Sequence, residues 1–269
     1  MNMKRPVITL LTDFGLSDHY VAAMKGIILG ICPQAEMVDI SHEITPFAIT
    51  EGAYTLAQAW HCFPKGTVHI AVVDPGVGGT RRAIVAEAGG HRFVAPDNGL
   101  LSLALGNQSA VKVREITAVR YFRPAVSRTF HGRDIFAPVA AHLANGLAPG
   151  RLGKRVIDFA DGGFARPTRT GPSRWSGTIL KIDRFGNVIT NLDWDTFGEI
   201  AGSTSFLLKI GRRTISRFYA TYAEAPAGQL FALKGSSGYV EVSLNQSSAA
   251  VFLKALPGAA IEIQVRSTG

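Results

Sequence analysis

The sequence predicts an α/β protein: an N-terminal doubly wound, mostly parallel sheet domain over residues 1–160, a linker over 161–174, and a C-terminal all-β barrel domain over 175–269. Three observations lead there. Apolar, β-branched runs alternate with helical periodicity through the first half, the pattern of strands and crossover helices. The alternation stops at a Gly-, Pro-, Arg- and Thr-rich stretch without periodicity. Beyond it, short strand-like segments recur between turn residues, as in a small barrel or sandwich.

Residues 7–11 form the first expected strand, ending at Thr12-Asp13-Phe14-Gly15. Val21, Met24, Ile27, Ile28 and Ile31 then fall on one helical stripe. A short strand over 37–40 and a helix over 48–61, with small residues Gly52, Ala53 and Ala57, follow. Residues 67–73 are strongly β-prone and end at Asp74-Pro75-Gly76. Segments 83–87 and 92–95 read as a strand pair across Gly89-Gly90, and 98–105 and 136–147 as helices. In the second half the strand candidates are 176–182, 188–192, 205–210, 213–218, 230–234, 239–244 and 260–265. Gly186-Asn187, Gly211 and Gly235-Ser236-Ser237-Gly238 punctuate them.

Composition narrows the classes. The chain of 269 residues is 46% hydrophobic and only 18% charged, which fits a full core and not a disordered chain. No apolar run approaches the roughly 18 residues of a membrane span. Lys4 and Arg5 precede an apolar run that Asp13 cuts short, so the start reads as a strand rather than a signal peptide, and the cytoplasm is expected. Cys32 and Cys62 lie in no metal-binding spacing and are expected as free thiols. The net charge of +8 is spread over scattered arginines without interleaved aromatics, so nucleic acid is not expected as a partner.

In open α/β sheets ligands bind at the carboxyl ends of strands. Polar loops lie there at 12–19, 74–82 and 96–99, and a fourth at 130–134 leads into a helix. Asp13 can accept two hydrogen bonds from a ribose diol, although the same position suits a helix cap or turn. Asp74-Pro75-Gly76-Val77-Gly78-Gly79-Thr80-Arg81 lets backbone approach a ligand and lets Asp74 pair with Arg81, or it is a tight turn. It lacks the Gly-Lys-Ser/Thr ending of a phosphate loop. His131 has the proton affinity suited to transfer near neutral pH, and a structural histidine is the alternative. Asp13, Asp18, His19, His42, Asp74, Asp97 and His131 could hold a metal, yet no HxH, HExxH or acidic ligand spacing is present, so no metal is expected. In the second half, Phe185 can stack on a heteroaromatic base, Asn187 can read its edge and Asp183 can meet an ammonium; a Gly-Asn hairpin explains the same letters. The Gly235-Ser236-Ser237-Gly238 turn can bind a carboxylate or be a plain turn.

In this order the segments resemble the S-adenosylmethionine hydroxide adenosyltransferase family, relatives of the enzymes that make 5′-halogenated adenosine. The resemblance runs through Leu10-Leu11-Thr12-Asp13-Phe14-Gly15, Asp39-Ile40-Ser41-His42 with Ile44-Thr45-Pro46-Phe47, and Val72-Val73-Asp74-Pro75-Gly76-Val77-Gly78. It continues through Ala95-Pro96-Asp97-Asn98-Gly99-Leu100-Leu101 and Thr129-Phe130-His131-Gly132-Arg133-Asp134, then residues 183–191 and 235–241.

The resemblance implies a homotrimer whose ligand lies between the N-terminal domain of one subunit and the C-terminal domain of its neighbour. It implies that Asp13 holds the ribose hydroxyls, with Phe47 beside the ribose. Phe185 and Asn187 would hold adenine, and Asp18, Asp183 and Ser236 the methionine part. Asp74, Arg81 and His131 match the set that hydroxide-using members carry; halogenating relatives tend to have tyrosine in place of Asp74 and His131. Arg82, adjacent to Arg81, leaves open which arginine points inward. The expected reaction is hydrolysis of S-adenosylmethionine at ribose C5′, with S-adenosylmethionine as substrate and no cofactor. Arg81 would stabilise hydroxide character, Asp74 would fix Arg81 and the water, and His131 would orient the water or take its proton. A 5′-halogenase and a non-catalytic nucleoside binder are the alternatives.

Overall fold

The computed structural model of the chain describes residues 5–106, 108–164, 166–197 and 205–266, which fall into two compact units, Met1–Gly162 and Gly163–Gly269. The first unit runs β1 (Val7–Thr12), α1 (Tyr20–Ile31), β2 (Glu36–Ser41), α2 (Ile49–Ala59), β3 (Val68–Val72), β4 (Ala83–Ala88), β5 (His91–Pro96), α3 (Ser102–Leu105), β6 (Lys112–Glu115), α4 (Ala137–Ala144) and β7 (Arg155–Val156). Its sheet has the order β2-β1-β3-β5-β4-β6-β7. The pairings β2–β1, β1–β3 and β3–β5 are parallel. The pairings β5–β4, β4–β6 and β6–β7 are antiparallel. The sheet is therefore mixed, and the expectation of a mostly parallel sheet is corrected. The cause is local: Gly89 and Gly90, both at positive φ, fold β4 and β5 into a hairpin, and a hairpin pairs its strands antiparallel.

Ile8 and Leu10 of β1 are fully buried with Met24 and Ile28 of α1 and with Phe136, Val139 and Ala140 around α4. Each such side chain contributes about 1.5–3 kcal/mol by leaving water. No side chain caps α1, so this apolar stripe, not its ends, keeps it helical. The next residue of β1, Leu11, meets α2 at Gly52, where a Cβ would lie 2.8 Å from Leu100 Cδ1 and 2.9 Å from Val73 Cγ2. The glycine lets that helix close on the strands. Two expected helices are shorter than their apolar stripes suggested. Gly99, at φ +92, precedes α3, and Gly146, also at φ +92, follows the end of α4; a π-helical turn over Gly132–Phe136 leads into α4.

The second unit runs β8 (Thr168–Gly171), β9 (Arg174–Ile182), β10 (Val188–Asp193), β11 (Ser205–Ile210), β12 (Arg213–Ile215), β13 (Leu230–Lys234), β14 (Tyr239–Leu244), α5 (Ala249–Leu253) and β15 (Ala260–Arg266). The strands follow the order β12-β11-β15-β9-β10-β14-β13, with β8 added on β9. Their pairings are antiparallel, and the end strands β12 and β13 approach one another, so the sheet is a nearly closed barrel. Its interior is filled by alternate residues such as Leu208, Ile210, Val240, Val242, Ile261 and Ile263. Within 161–174, read from the sequence as a linker, β8 pairs with β9. The strand expected over 213–218 stops at Ile215, and Phe218 makes only an isolated bridge to Ala232. Among the described residues no helix is long and apolar enough to cross a membrane.

Inside the first unit, Thr9 Oγ1 lies 2.7 Å from His69 Nδ1, and His69 Nε2 lies 3.1 Å from His91 Nδ1. The His69 ring stacks on Phe93, and Trp60 meets His91 edge-on. Burial, aided by the neighbouring His91, pushes His69 down to about 3, and burial with the Lys65 charge lowers His91. The unfolded chain takes up these protons near pH 6.5, whereas folded His69 refuses its proton until about pH 3. The contribution of His69 to stability is thus complete above about pH 6.5 and declines as pH falls toward 3. Melting temperature should fall steadily between pH 7 and pH 4, and His69→Gln should flatten that slope in thermal denaturation, whatever its effect on the absolute value.

Candidate active site

Parallel register creates the site. Thr12 at the end of β1 pairs with Val72 at the end of β3, so the loops that carry Asp13 and Asp74 leave the sheet side by side. β2 lies on one side of β1 and β3 on the other, and this reversal of direction is where open α/β sheets leave a crevice. A pocket of about 390 Å³ opens there, lined by Asp13, Phe14, Tyr20, Phe47, Asp74, Val77, Thr129, Phe130 and His131, among others. That volume falls within the range of small-molecule sites, roughly 300–1,000 Å³. Phe14, Tyr20 and Phe130 pack edge to face as its apolar wall.

Arg81 is not itself among the lining residues; it is clamped behind two of them, Asp74 and His131. Its Nε donates to Asp74 Oδ1 at 3.1 Å and Oδ2 at 3.0 Å, and its NH2 also donates to Oδ2. The same NH2 lies 2.8 Å from His131 Nδ1. A guanidinium has no acceptor, so Nδ1 must accept, and the proton of the neutral ring sits on Nε2. Burial lowers the His131 pKa, and the Arg81 charge lowers it further, against opposition from Asp74, Asp134 and the Ser127 carbonyl. The guanidinium also lies 5.4 Å from the centre of the Phe136 ring. Asp74 and Arg81 side chains are only 4% and 11% exposed, so their attraction is weakly screened.

Two features hold the partners in place. Gly78 has φ +75, and a Cβ there would lie 2.2 Å from the Arg128 carbonyl oxygen, so the 74–81 loop presses directly on the segment that carries His131. Asp134, fully buried, accepts from Arg123 NH1 at 3.0 Å, Arg133 Nε at 2.7 Å and the Ser127 backbone N–H at 2.8 Å. Burial raises the Asp134 pKa, but those hydrogen bonds outweigh it and hold the carboxyl well below the usual range. His131 itself opens the π-helical turn before α4, a backbone irregularity common at functional sites.

Asp13 faces the same pocket. Burial raises its pKa and the nearby Asp74 adds to this, while the Phe47 N–H, donating to Oδ2 at 2.9 Å, opposes them. Phe47 adopts φ +68 and is 70% exposed, a left-handed conformation that a phenylalanine takes only under constraint. Asp18 is exposed on the same loop and does not line the pocket. The two adjacent arginines part company: Arg81 turns to Asp74 and His131, whereas Arg82 turns to Asp97, with Nε–Oδ2 at 2.8 Å, and to Asp158 Oδ1 at 2.9 Å. Among the described residues, no three His, Cys, Asp or Glu side chains are placed to hold a metal.

In the second unit, Asp183 Oδ1 accepts the backbone N–H groups of Phe185 and Asn187, each at 2.9 Å, and Oδ2 accepts from Asn187 Nδ2 at 2.9 Å. The turn leaves Phe185 80% exposed and Asn187 buried. Gly186, at φ +84, sits where a Cβ would lie 2.1 Å from Ser248 Oγ. Ser236 is exposed in the turn between β13 and β14. Beneath that turn lies Glu241, which sequence reasoning named only as the end of a motif. It accepts from Tyr222 Oη at 2.6 Å and Ser243 Oγ at 3.0 Å, and burial raises its pKa, with Asp183 adding to the effect. Sequence reasoning also missed Tyr20 and Thr129 as pocket walls. Their proximity to Asp13 and His131 was the available signal.

Comparison with known proteins places the chain in a family. The N-terminal domain model of the SAM hydroxide adenosyltransferases matches residues 8–153, and the C-terminal domain model matches 177–262. An (R)-S-adenosyl-L-methionine hydrolase from Thermus thermophilus is 40% identical over 91% of this chain and 94% of its own. A fluorinase from Nocardia brasiliensis is 28% identical over 98% of each chain. A crystal structure of an uncharacterized conserved protein from Thermotoga maritima superposes with a TM-score of 0.83 at 36% identity, covering 96% of this chain and 99% of that one. With both domain models matched in order along most of its length, the chain belongs to the SAM hydroxide adenosyltransferase family.

Proposed function

We propose that this protein hydrolyses S-adenosylmethionine to adenosine and methionine by in-line attack of water on ribose C5′. The observation that carries the reading is the Arg81 guanidinium, clamped by Asp74 and His131, two residues that line a pocket together with Asp13. The hydrolase name of a relative at 40% identity supports it. An oxygen–carbon bond forms as the C5′–sulfur bond breaks. Sulfur keeps the electron pair, methionine leaves as a thioether, and the proton of water is released. The sulfonium makes C5′ electrophilic and needs no acid to leave, so the enzyme has to supply a positioned nucleophile with hydroxide character. Arg81 stabilises that developing charge in a site with little competing water. Asp74 fixes Arg81, and His131, its Nδ1 lone pair taken by Arg81, holds the guanidinium from the other side.

In this reading Asp13 and Phe47 hold the ribose, Phe185 and Asn187 the adenine, and Asp18, Asp183 and Ser236 the methionine. With Asp183 already ordering its own turn, its remaining lone pairs are what it offers an ammonium. The chain acts without a cofactor, as a homotrimer in the cytoplasm. A halogenase is the second reading, because fluorinases are relatives; Asp74 and His131, where halogenases tend to carry tyrosine, weigh against it.

Incubation with S-adenosylmethionine in oxygen-18 water should place the label in the adenosine 5′-hydroxyl, seen by mass spectrometry. A 5′-halogenated nucleoside in chloride or fluoride buffer would establish the halogenase instead, and no turnover would reduce the protein to a binder. Arg81→Ala should cut kcat by about 100-fold or more while adenosine Kd changes by less than about threefold, since the loss falls on transition-state charge. Steady-state kinetics with calorimetric titration separates the two.

A further inference from the structure

The first unit holds a second polar chain that the proposed reaction does not use. His42 is 3% exposed and Thr12 is fully buried. Thr12 Oγ1 lies 2.8 Å from His42 Nδ1. On the other side of the ring, His42 Nε2 lies 3.1 Å from Asp39 Oδ1, off the axis of a well-aligned hydrogen bond, and among the described residues nothing else partners that nitrogen. Lys25 Nζ of α1 closes the chain on Asp39 Oδ2 at 2.6 Å. Burial raises the Asp39 pKa, but Lys25 and His42 outweigh it, so the carboxyl stays ionised and faces the imidazole. A carboxylate facing Nε2 calls for the ring N–H on that side, which leaves Nδ1 to accept the hydrogen bond of the Thr12 hydroxyl.

This chain ends at Asp13. The Thr12 hydroxyl oxygen accepts the Phe14 N–H at 3.2 Å, and the His42 carbonyl accepts the Gly15 N–H at 2.8 Å, where Gly15 turns at φ +66. The turn that presents Asp13 is therefore held on both of its following residues by one His42–Thr12 pair. His42 also begins the segment that reaches Phe47, whose N–H fixes Asp13 Oδ2. Both backbone segments that meet at the Asp13 carboxylate thus meet at His42, one through its ring and its carbonyl, the other through the chain that follows it.

We infer that Thr12 and His42, braced by Asp39 and Lys25, are positioning residues that aim the Asp13 carboxylate at the ribose 2′,3′-diol and so set selectivity for a ribonucleoside. The inference rests on the proposed reading in which Asp13 holds the ribose, and on no part of the water-activating group.

The test compares adenosine with 2′,3′-dideoxyadenosine by calorimetric titration of the full chain. Thr12→Val should raise adenosine Kd about tenfold, equivalent to about 1.4 kcal/mol. It should leave dideoxyadenosine within about twofold, because the deoxygenated sugar has nothing for Asp13 to hold. Thr12→Ser should return adenosine binding to near the native value, and Thr12→Val should raise KM for S-adenosylmethionine far more than it lowers kcat. Asp39→Asn, at an exposed position, should act in the same direction more weakly. Equal weakening of both ligands, or no change in adenosine binding, overturns the inference. A wild-type protein indifferent to loss of the ribose hydroxyls also overturns it. Discrimination between the two nucleosides without any hydrolysis would overturn the hydrolase reading and leave this inference standing.

Discussion

A guanidinium can donate hydrogen bonds but never accept one, and that limitation orders the whole site. Arg81 sits between a carboxyl group and an imidazole, so each must offer it a lone pair. Asp74 then holds the guanidinium from one side and His131 from the other, rather than leaving it to swing. A freely rotating arginine would lose much of its effect to side-chain entropy and water. The buried Asp134 and the close approach at Gly78 matter because they fix the two backbone segments that this triple contact joins.

The sheet does the coarse positioning and polar contacts do the fine positioning. Parallel pairing of β1 with β3 brings Asp13 and Asp74 out together, although 61 positions separate them in the chain. The strands are anchored by Ile8, Leu10, Ile70 and Val72, whose burial far outweighs any single loop contact. That surplus allows strained features at the rim, such as Phe47 in a left-handed conformation, to persist.

Much of this was legible in the letters. Polar residues placed directly after apolar strands marked Asp13 and Asp74, and the alternation of strands and helices gave the class of the first unit. The sense of the pairings was less legible. A glycine pair between 83–88 and 91–96 already implied a hairpin, yet the rhythm of the whole half suggested parallel strands. What sequence could not supply was contact between distant polar groups. Nothing in the spelling of His131 says that its Nδ1 faces an arginine 50 positions earlier. Nothing near Glu241 announces Tyr222 as its donor, and His42 looked like one more candidate metal ligand among scattered acids. Such networks depend on tertiary register, which hydrophobic periodicity encodes only indirectly.

Arg81 and Arg82 are chemically identical neighbours with different partners, one held by Asp74 and His131 and one pinning the chain at Asp97 and Asp158. Their division of labour is a matter of phase. Inserting or deleting one residue between Asp74 and the arginine pair would break the register in which Arg81 meets Asp74 while Arg82 meets Asp97. The length of this loop is thus as much a part of the chemistry as the residues in it. A homologue that keeps both arginines but differs by one in spacing cannot be assumed to share the reaction.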